Sequence, residues 1–295
     1  MSKEQLAFIL EISAQNPPPQ DAGPAELRDW FEGINAQTPI ADGAMIETVS
    51  IGPCAAELNR MPNTDPDRLL IYFHGGGFFI GSPRSHRVVA TNLARASGAA
   101  VLSVDYRLAP EHPAPAAHDD ALAAYRWALT QGYAPSAIGL SGDSAGGNLA
   151  LAAAVRVRDS GLPLPACIVL MSPALDLADD GDSHKTIIDA PLLTPELMGV
   201  FNAVYIGDGD RRAPEVTPFH ADMAGLPPVL VHVGSWELLR DDSITICARI
   251  NAAGGRAELK IWEGMCHSWQ LFAPMLEEGM ASIEEAGEFV RRHAA

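Results

Sequence analysis

Residues 137–161 read AIGLSGDSAGGNLALAAAVRVRDSG, an apolar run that becomes an alanine-rich stretch of helical spacing across the six residues GDSAGG. A strand that turns this sharply into a helix is one half of a strand–helix–strand unit, whose helix lies back on the sheet it has just left. The same alternation starts near residue 69 and continues to the C-terminus. RLLIYFHGG is an apolar strand ending in glycines, RSHRVVATNLARASG a helix stopped at Gly98, and AAVLSVDYRL the next strand. AHDDALAAYRWALTQ is helical, with Asp119 and Asp120 in a first turn where the helix dipole favours acids. ACIVLMSP, PPVLVHVGS and AELKIWEG read as strands, DDSITICARINAAG as a helix between the last two, and MASIEEAGEFVRRHAA as an amphipathic closing helix. Strands alternating with helices give an α/β class, with a mostly parallel central sheet flanked on both faces.

Two segments break that rhythm. Residues 1–45 are helix-like with a break at Pro17–Pro19, and residues 178–215 form a long insertion between two strands. Insertions of that length usually serve as lids or binding elements. With 295 residues, 47% hydrophobic and 19% charged, the chain has material for a sizeable core and global disorder is not expected. A net charge of −17 argues against nucleic acid and against anionic membrane surfaces, because both need clustered Lys and Arg. No apolar run approaches a membrane span, and the N-terminal stretch lacks the features of a signal peptide, which favours the cytoplasm. Cys54, Cys167, Cys247 and Cys266 lie far apart with no metal-ligand spacing, so reduced core cysteines are expected and no metal.

GDSAGG matches G-x-S-x-G, a strand-to-helix turn that exposes a nucleophilic serine, here Ser144. A serine hydroxyl is a weak nucleophile and needs a base, which in turn needs an acid to orient it. In such folds the order along the chain is Ser, Asp or Glu, then His, each at a strand end. Of nine histidines, His267 is the one that lies late and just beyond a strand. The acid must follow PPVLVHVGS, where Glu237, Asp241 and Asp242 stand. Glu237 is nearest the strand end, whereas Asp241 and Asp242 occupy a helix start, a usual place for acids. Carbonyl attack also creates an oxyanion. Its expected donors are the amide of Ala145 and amides of the loop Gly75, Gly76 and Gly77, with no preference among the three glycines. No GxxxxGK[ST] and no GxGxxG opening a helix is present, which argues against a phosphate cradle. His74 is expected to brace the loop. Trp30, Phe31, Phe201 and Tyr205 are candidates either to line a substrate pocket or simply to pack.

HGGGF at 74–78, DYRLAPEHPAPA at 105–116, GDSAGG at 142–147 and His267 in GMCHSW together resemble the hormone-sensitive-lipase family, the bacterial family IV esterases. The resemblance covers residue 69 to about residue 293 and implies the α/β-hydrolase fold. It implies Ser144 as nucleophile, His267 as general base, and an oxyanion hole from Gly75–Gly77 and Ala145. It further implies a cap from residues 1–45 and 178–215 over a core of residues 46–177 and 216–295. Most relatives have an aspartate where this chain has Glu237. The implied activity is a serine carboxylesterase on short- to medium-chain acyl esters, acting through an acyl-enzyme without metal or organic cofactor, and a homodimer paired through a late strand and helix. A lactone or amide hydrolase would use the same residues. A non-catalytic ligand-binding relative would be expected to lack the histidine found here at His267.

Overall fold

A computed structural model describes residues 3–294. Two helices, α1 (Lys3–Gln15) and α2 (Pro24–Asn35), precede an antiparallel pair, β1 (Met45–Ser50) and β2 (Ala55–Arg60). Then follow β3 (Asp65–Phe73), α3 (Arg87–Ser97), β4 (Ala99–Asp105), α4 (Ala116–Thr130), β5 (Ile138–Asp143), α5 (Ala145–Asp159) and β6 (Cys167–Met171). The insertion carries α6 (Ser183–Thr186) and α7 (Pro195–Ile206). The chain closes with β7 (Val229–Gly234), α8 (Arg240–Ala252), β8 (Ala257–Trp262) and α9 (Glu277–His293).

The eight strands form one sheet in the order β1-β2-β4-β3-β5-β6-β7-β8. From β4 to β8 every neighbouring pair is parallel, while β2 joins β1 and β4 antiparallel. Successive strand residues face opposite sides, so each inner strand feeds two cores. Leu69, Ile71 and Phe73 of β3 join Leu102, Leu140 and Leu170 beneath α4, α5 and α8. Leu70 and Tyr72 join Val101, Val169 and Met171 beneath α3 and α9. This two-sided burial is why these strands read as unbroken apolar runs.

The strand pair at 45–60 lies outside the alternation expected from the sequence. β1 is an edge strand with mostly exposed side chains, so its pattern Met45-Ile46-Glu47-Thr48-Val49-Ser50 carries little hydrophobic signal. β2 pairs on both sides, and Asn59 is buried within it, donating its side-chain amide to the Val101 carbonyl at 3.2 Å. α1 packs Leu6 and Ile9 against Trp262, Met265, Cys266 and Trp269, the residues that flank His267. The C-terminal ends of β3, β5, β6, β7 and β8 open on one side of the sheet, and every residue of the candidate site lies just beyond one of them. Ligands of open α/β sheets bind at this edge.

Candidate active site

Ser144 stands between the last residue of β5 and the first of α5, at φ 52° and ψ −120°. A non-glycine residue in this region costs on the order of 1–3 kcal/mol and persists only where its surroundings hold it. Its amide donates to the Met171 carbonyl at 3.0 Å, and its own carbonyl accepts the amides of Asn148 at 3.2 Å and Ala174 at 3.0 Å. A Cβ on Gly142 would meet the Gly146 carbonyl, and one on Gly146 would meet the Phe73 carbonyl. The two glycines of the motif are therefore required by close backbone approach.

His267 lies on the loop after β8. Its Nε2 is 2.9 Å from Ser144 Oγ and its Nδ1 is 2.9 Å from Glu237 Oε2. Glu237, just beyond β7, has 0% exposure. Leaving such a carboxylate unpartnered would cost several kcal/mol. It is met instead by three donors. Besides the His267 ring, the Gly234 amide at 2.5 Å and the Ser172 hydroxyl at 2.8 Å both donate to Oε1. A carboxylate that accepts at this distance favours the tautomer with the proton on Nδ1, which leaves the Nε2 lone pair facing the serine. Asp241 and Asp242 are engaged elsewhere. Asp241 accepts from Arg240 at 3.0 Å, and Asp242 pairs with His184 at 3.4 Å and with the Asp176 amide at 3.4 Å.

The glycine loop lies beside Ser144, and its three amides are not equivalent. The Gly75 amide donates to Asp143 Oδ1 at 3.1 Å, with His86 Nε2 at 3.3 Å from the same nitrogen. The expectation that Gly75 serves as a donor is corrected on this ground, because its N–H is already spent. The amides of Gly76, Gly77 and Ala145 donate to no acceptor among the described residues. His74 is fully buried, with its Nδ1–H donating to the Gly75 carbonyl at 2.7 Å and its ring stacked on Tyr106 at 4.2 Å. Burial, with the neighbouring His86 adding to it, lowers its pKa to about 3, so it braces the loop as a neutral ring. Tyr106, from the DYRLAPE stretch, donates its hydroxyl to the His74 carbonyl at 2.8 Å.

Four further residues were not singled out from the sequence. Asp143 is buried and accepts the Tyr72 hydroxyl at 2.5 Å and the Ser268 hydroxyl at 3.2 Å, while Ser172 accepts the Ser268 amide at 3.1 Å. Asp143 occupies the variable position of G-x-S-x-G, and that adjacency was the available signal. Ser172 carried none, since its role depends on the packing of β6 against β7. Among the aromatic candidates, Tyr205 is fully buried, stacked on Phe78 at 4.0 Å and bonded to His118 Nδ1 at 2.7 Å, so it packs and lines nothing. The Phe201 ring lies directly over Gly77, where it occupies the place of a side chain. Trp30 and Phe31 are half-buried on α2, Phe31 with its ring 6.0 Å from that of His86.

Comparison with known proteins gives a consistent family. Residues 70–271 match the model of an α/β-hydrolase-fold family. An acetyl-hydrolase of Streptomyces hygroscopicus is 44% identical over 247 residues, covering 83% of this chain and 82% of the relative. The crystal structure of an esterase from the bacterial hormone-sensitive lipase family superposes with a TM-score of 0.96 at 40% identity, covering 100% of both chains. The structure of EstE5 soaked with p-nitrophenyl butyrate superposes with a TM-score of 0.92 at 41% identity, covering 98% of each. The chain belongs to the hormone-sensitive-lipase family of α/β-hydrolases and is a carboxylic-ester hydrolase.

Proposed function

We propose that the chain hydrolyses short- to medium-chain acyl esters through an acyl-enzyme on Ser144, with His267 as general base and Glu237 as the acid that orients it. The observation that carries this reading is the continuous contact from Ser144 Oγ through His267 to Glu237, 2.9 Å at each step. Ser144 Oγ attacks the acyl carbon while Nε2 takes its proton, and Glu237 stabilises the imidazolium. The oxyanion falls to the amides of Gly76, Gly77 and Ala145, of which each is worth about 10²–10³ in rate. Collapse expels the alcohol with the proton from Nε2. A water activated by the same nitrogen then frees the acid and restores Ser144.

The acyl preference draws support from the name of the acetyl-hydrolase relative, from the butyrate ester soaked into EstE5, and from the Phe201 ring set against the loop at Gly77. Residues 1–45 and 178–215 act as a cap, a role supported by the contacts of Arg28 and Phe201 with the glycine loop. A homodimer through β8 and α8 is supported by the free edge of β8 and by exposed Ile244 and Ile261 on these two elements. Among the described residues no helix is long and apolar enough to cross a membrane.

The test is hydrolysis of p-nitrophenyl esters from acetyl to dodecanoyl, with Ser144→Ala as the blank. Turnover should fall steeply beyond the medium chains and vanish in the variant. Turnover that survives Ser144→Ala would overturn the mechanism, and a flat profile to dodecanoyl would overturn the acyl preference.

A further inference from the structure

The reactive groups have a second connection behind them. Glu237 Oε1 accepts the Ser172 hydroxyl at 2.8 Å, Ser172 Oγ accepts the Ser268 amide at 3.1 Å, and the Ser268 hydroxyl donates to Asp143 Oδ2 at 3.2 Å. Asp143 is bonded covalently to Ser144, so the chain closes into a ring with the Ser144–His267–Glu237 contacts on its front side. The other oxygen, Asp143 Oδ1, holds the Gly75 amide at 3.1 Å and the Tyr72 hydroxyl at 2.5 Å. The His86 ring stands 3.7 Å from Oδ2. A Cβ on Gly75 would collide with this carboxylate, so backbone and carboxylate pack in direct contact.

Ser144 (φ 52°), Ser172 (φ 44°) and Ser268 (φ 48°) all sit in the left-handed region that non-glycine residues avoid. All three belong to the ring. Strained residues of this kind persist where surrounding contacts over-determine them, and the ring supplies those contacts. It also ties together the C-terminal ends of five different strands: β3 at Gly75, β5 at Asp143, β6 at Ser172, β7 at Glu237 and β8 at Ser268. No single element could fix their relative positions.

We infer that Asp143 is a positioning residue: its carboxylate fixes the glycine loop at Gly75 and, through Ser268 and Ser172, the Glu237–His267 pair, both relative to Ser144, a role that rests on the serine-hydrolase reading above. It touches neither substrate nor the reacting atoms. Its effect is on distances, and a misplacement of about 1 Å at a reacting centre costs on the order of 10²-fold in rate.

The experiment compares wild type with Asp143→Asn, Ser268→Ala and Tyr72→Phe. It measures kcat and KM on p-nitrophenyl butyrate, inhibition by an aryl trifluoromethyl ketone that adds to the serine as a tetrahedral hemiketal, and Tm. Asp143→Asn should lower kcat about 10²-fold while KM moves less than about threefold, and ketone affinity should fall by the same factor as kcat/KM. Ser268→Ala should lower kcat about tenfold, and its effect should largely vanish in the Asp143→Asn background, since both cut one chain. A merely structural aspartate would lower Tm without that match between ketone affinity and kcat/KM. If Asp143→Asn does not fold, Ser268→Ala and Tyr72→Phe carry the test. Wild-type kcat in both, or full additivity of Ser268→Ala with Asp143→Asn, would overturn the role. Ser144→Ala run in parallel separates the two readings: turnover that survives it defeats the serine mechanism. Ser144-dependent turnover that ignores the other variants defeats only the positioning role.

Discussion

Replacing Glu237 by glutamine changes one atom and leaves the volume intact, yet it should nearly abolish turnover. The environment of the carboxylate fixes how the new amide lies. Oε1 accepts from the Gly234 amide at 2.5 Å and from the Ser172 hydroxyl at 2.8 Å. The Gly234 amide is a donor that cannot turn away, so the glutamine oxygen must take the Oε1 position. Its NH₂ then occupies the Oε2 position, 2.9 Å from His267 Nδ1 in the native chain. An NH₂ there forces Nδ1 to accept and moves the ring proton to Nε2, the nitrogen that faces Ser144. The ring can no longer take the serine proton. The wrong tautomer in an equivalent triad costs about 10⁴ in kcat, or about 5.4 kcal/mol at 1.36 kcal/mol per decade. Glu237→Asp is the companion variant. It keeps the charge but shortens the reach by about 1.5 Å, one carbon–carbon step, so a carboxylate held at Gly234 no longer meets the ring, and kcat should fall about 10–10²-fold. Both are read as kcat on p-nitrophenyl acetate beside Asp241→Asn and Asp242→Asn. A loss below tenfold for Glu237→Gln, or an equal loss for either aspartate variant, would refute the assignment of the acid.

Two further expectations follow from neighbouring contacts. Gly77 has φ +61° and the Phe201 ring in the place of its Cβ, so Gly77→Ala combines about 1–2 kcal/mol of left-handed strain with a forced shift of the loop. Loss of one oxyanion donor predicts a kcat fall of about 10²–10³, part of which Phe201→Ala should restore; no recovery in the double variant would show that the ring is not the obstacle. His184 of α6 sits 3.4 Å from Asp242 of α8 and 3.7 Å from Asp179. Burial opposes its charge, but the hydrogen bond and charge of Asp242, then Asp179 and Asp176, outweigh it and raise its pKa. A raised pKa contributes stability that is fully present below the unfolded value, about 6.5, and is lost as pH rises through the native one. The Tm advantage of wild type over His184→Gln should therefore shrink between pH 5.5 and pH 9, and a constant gap across that range would contradict the account.

The parallel part of the sheet was legible because its inner strands are buried on both faces and its helices carry a 3.6-residue apolar period, as in the run from Ile138 to Asp159. The expected helix over 241–254 corresponds to Arg240–Ala252, and the closing helix begins at Glu277, three residues earlier than its apolar pattern indicated. β1 escaped because an edge strand with exposed side chains leaves no alternation to read. Within the site, Ser144 and His267 were marked by a motif and by their place at strand ends. The proposed acid was harder to single out, since Glu237, Asp241 and Asp242 lie within six residues and only the packing of β7 beside β6 separates their surroundings. Which glycine amides remain free is likewise absent from the motif. It depends on a bond from Gly75 to Asp143, 68 residues away.

The loop from His74 to Ile80 is the place where the catalytic side of the core and the two irregular segments meet. From the core, Asp143 holds the Gly75 amide at 3.1 Å and Tyr106 holds the His74 carbonyl at 2.8 Å. From α2, Arg28 donates to the Phe79 carbonyl at 2.9 Å and to the Ala109 carbonyl at 2.7 Å, and grips both oxygens of Glu111 at 2.9 and 2.7 Å. From α7, Phe201 covers Gly77, and Tyr205 stacks on Phe78 at 4.0 Å. A loop of bare glycines loses much conformational freedom on folding, and in the proposed oxyanion role a mobile loop would have to reorganise at the moment of reaction, forfeiting the benefit of preorganised donors. Side chains on Gly76 and Gly77 would stiffen the loop but obstruct it, since Cβ atoms there would strike the Ile80 carbonyl and the Phe201 ring. The rigidity is therefore supplied by groups distant in sequence, on both sides of the loop. This arrangement joins the position of α2 and α7 to the geometry of the loop amides, so a substrate that displaces either helix should also disturb the amides proposed to hold its oxyanion.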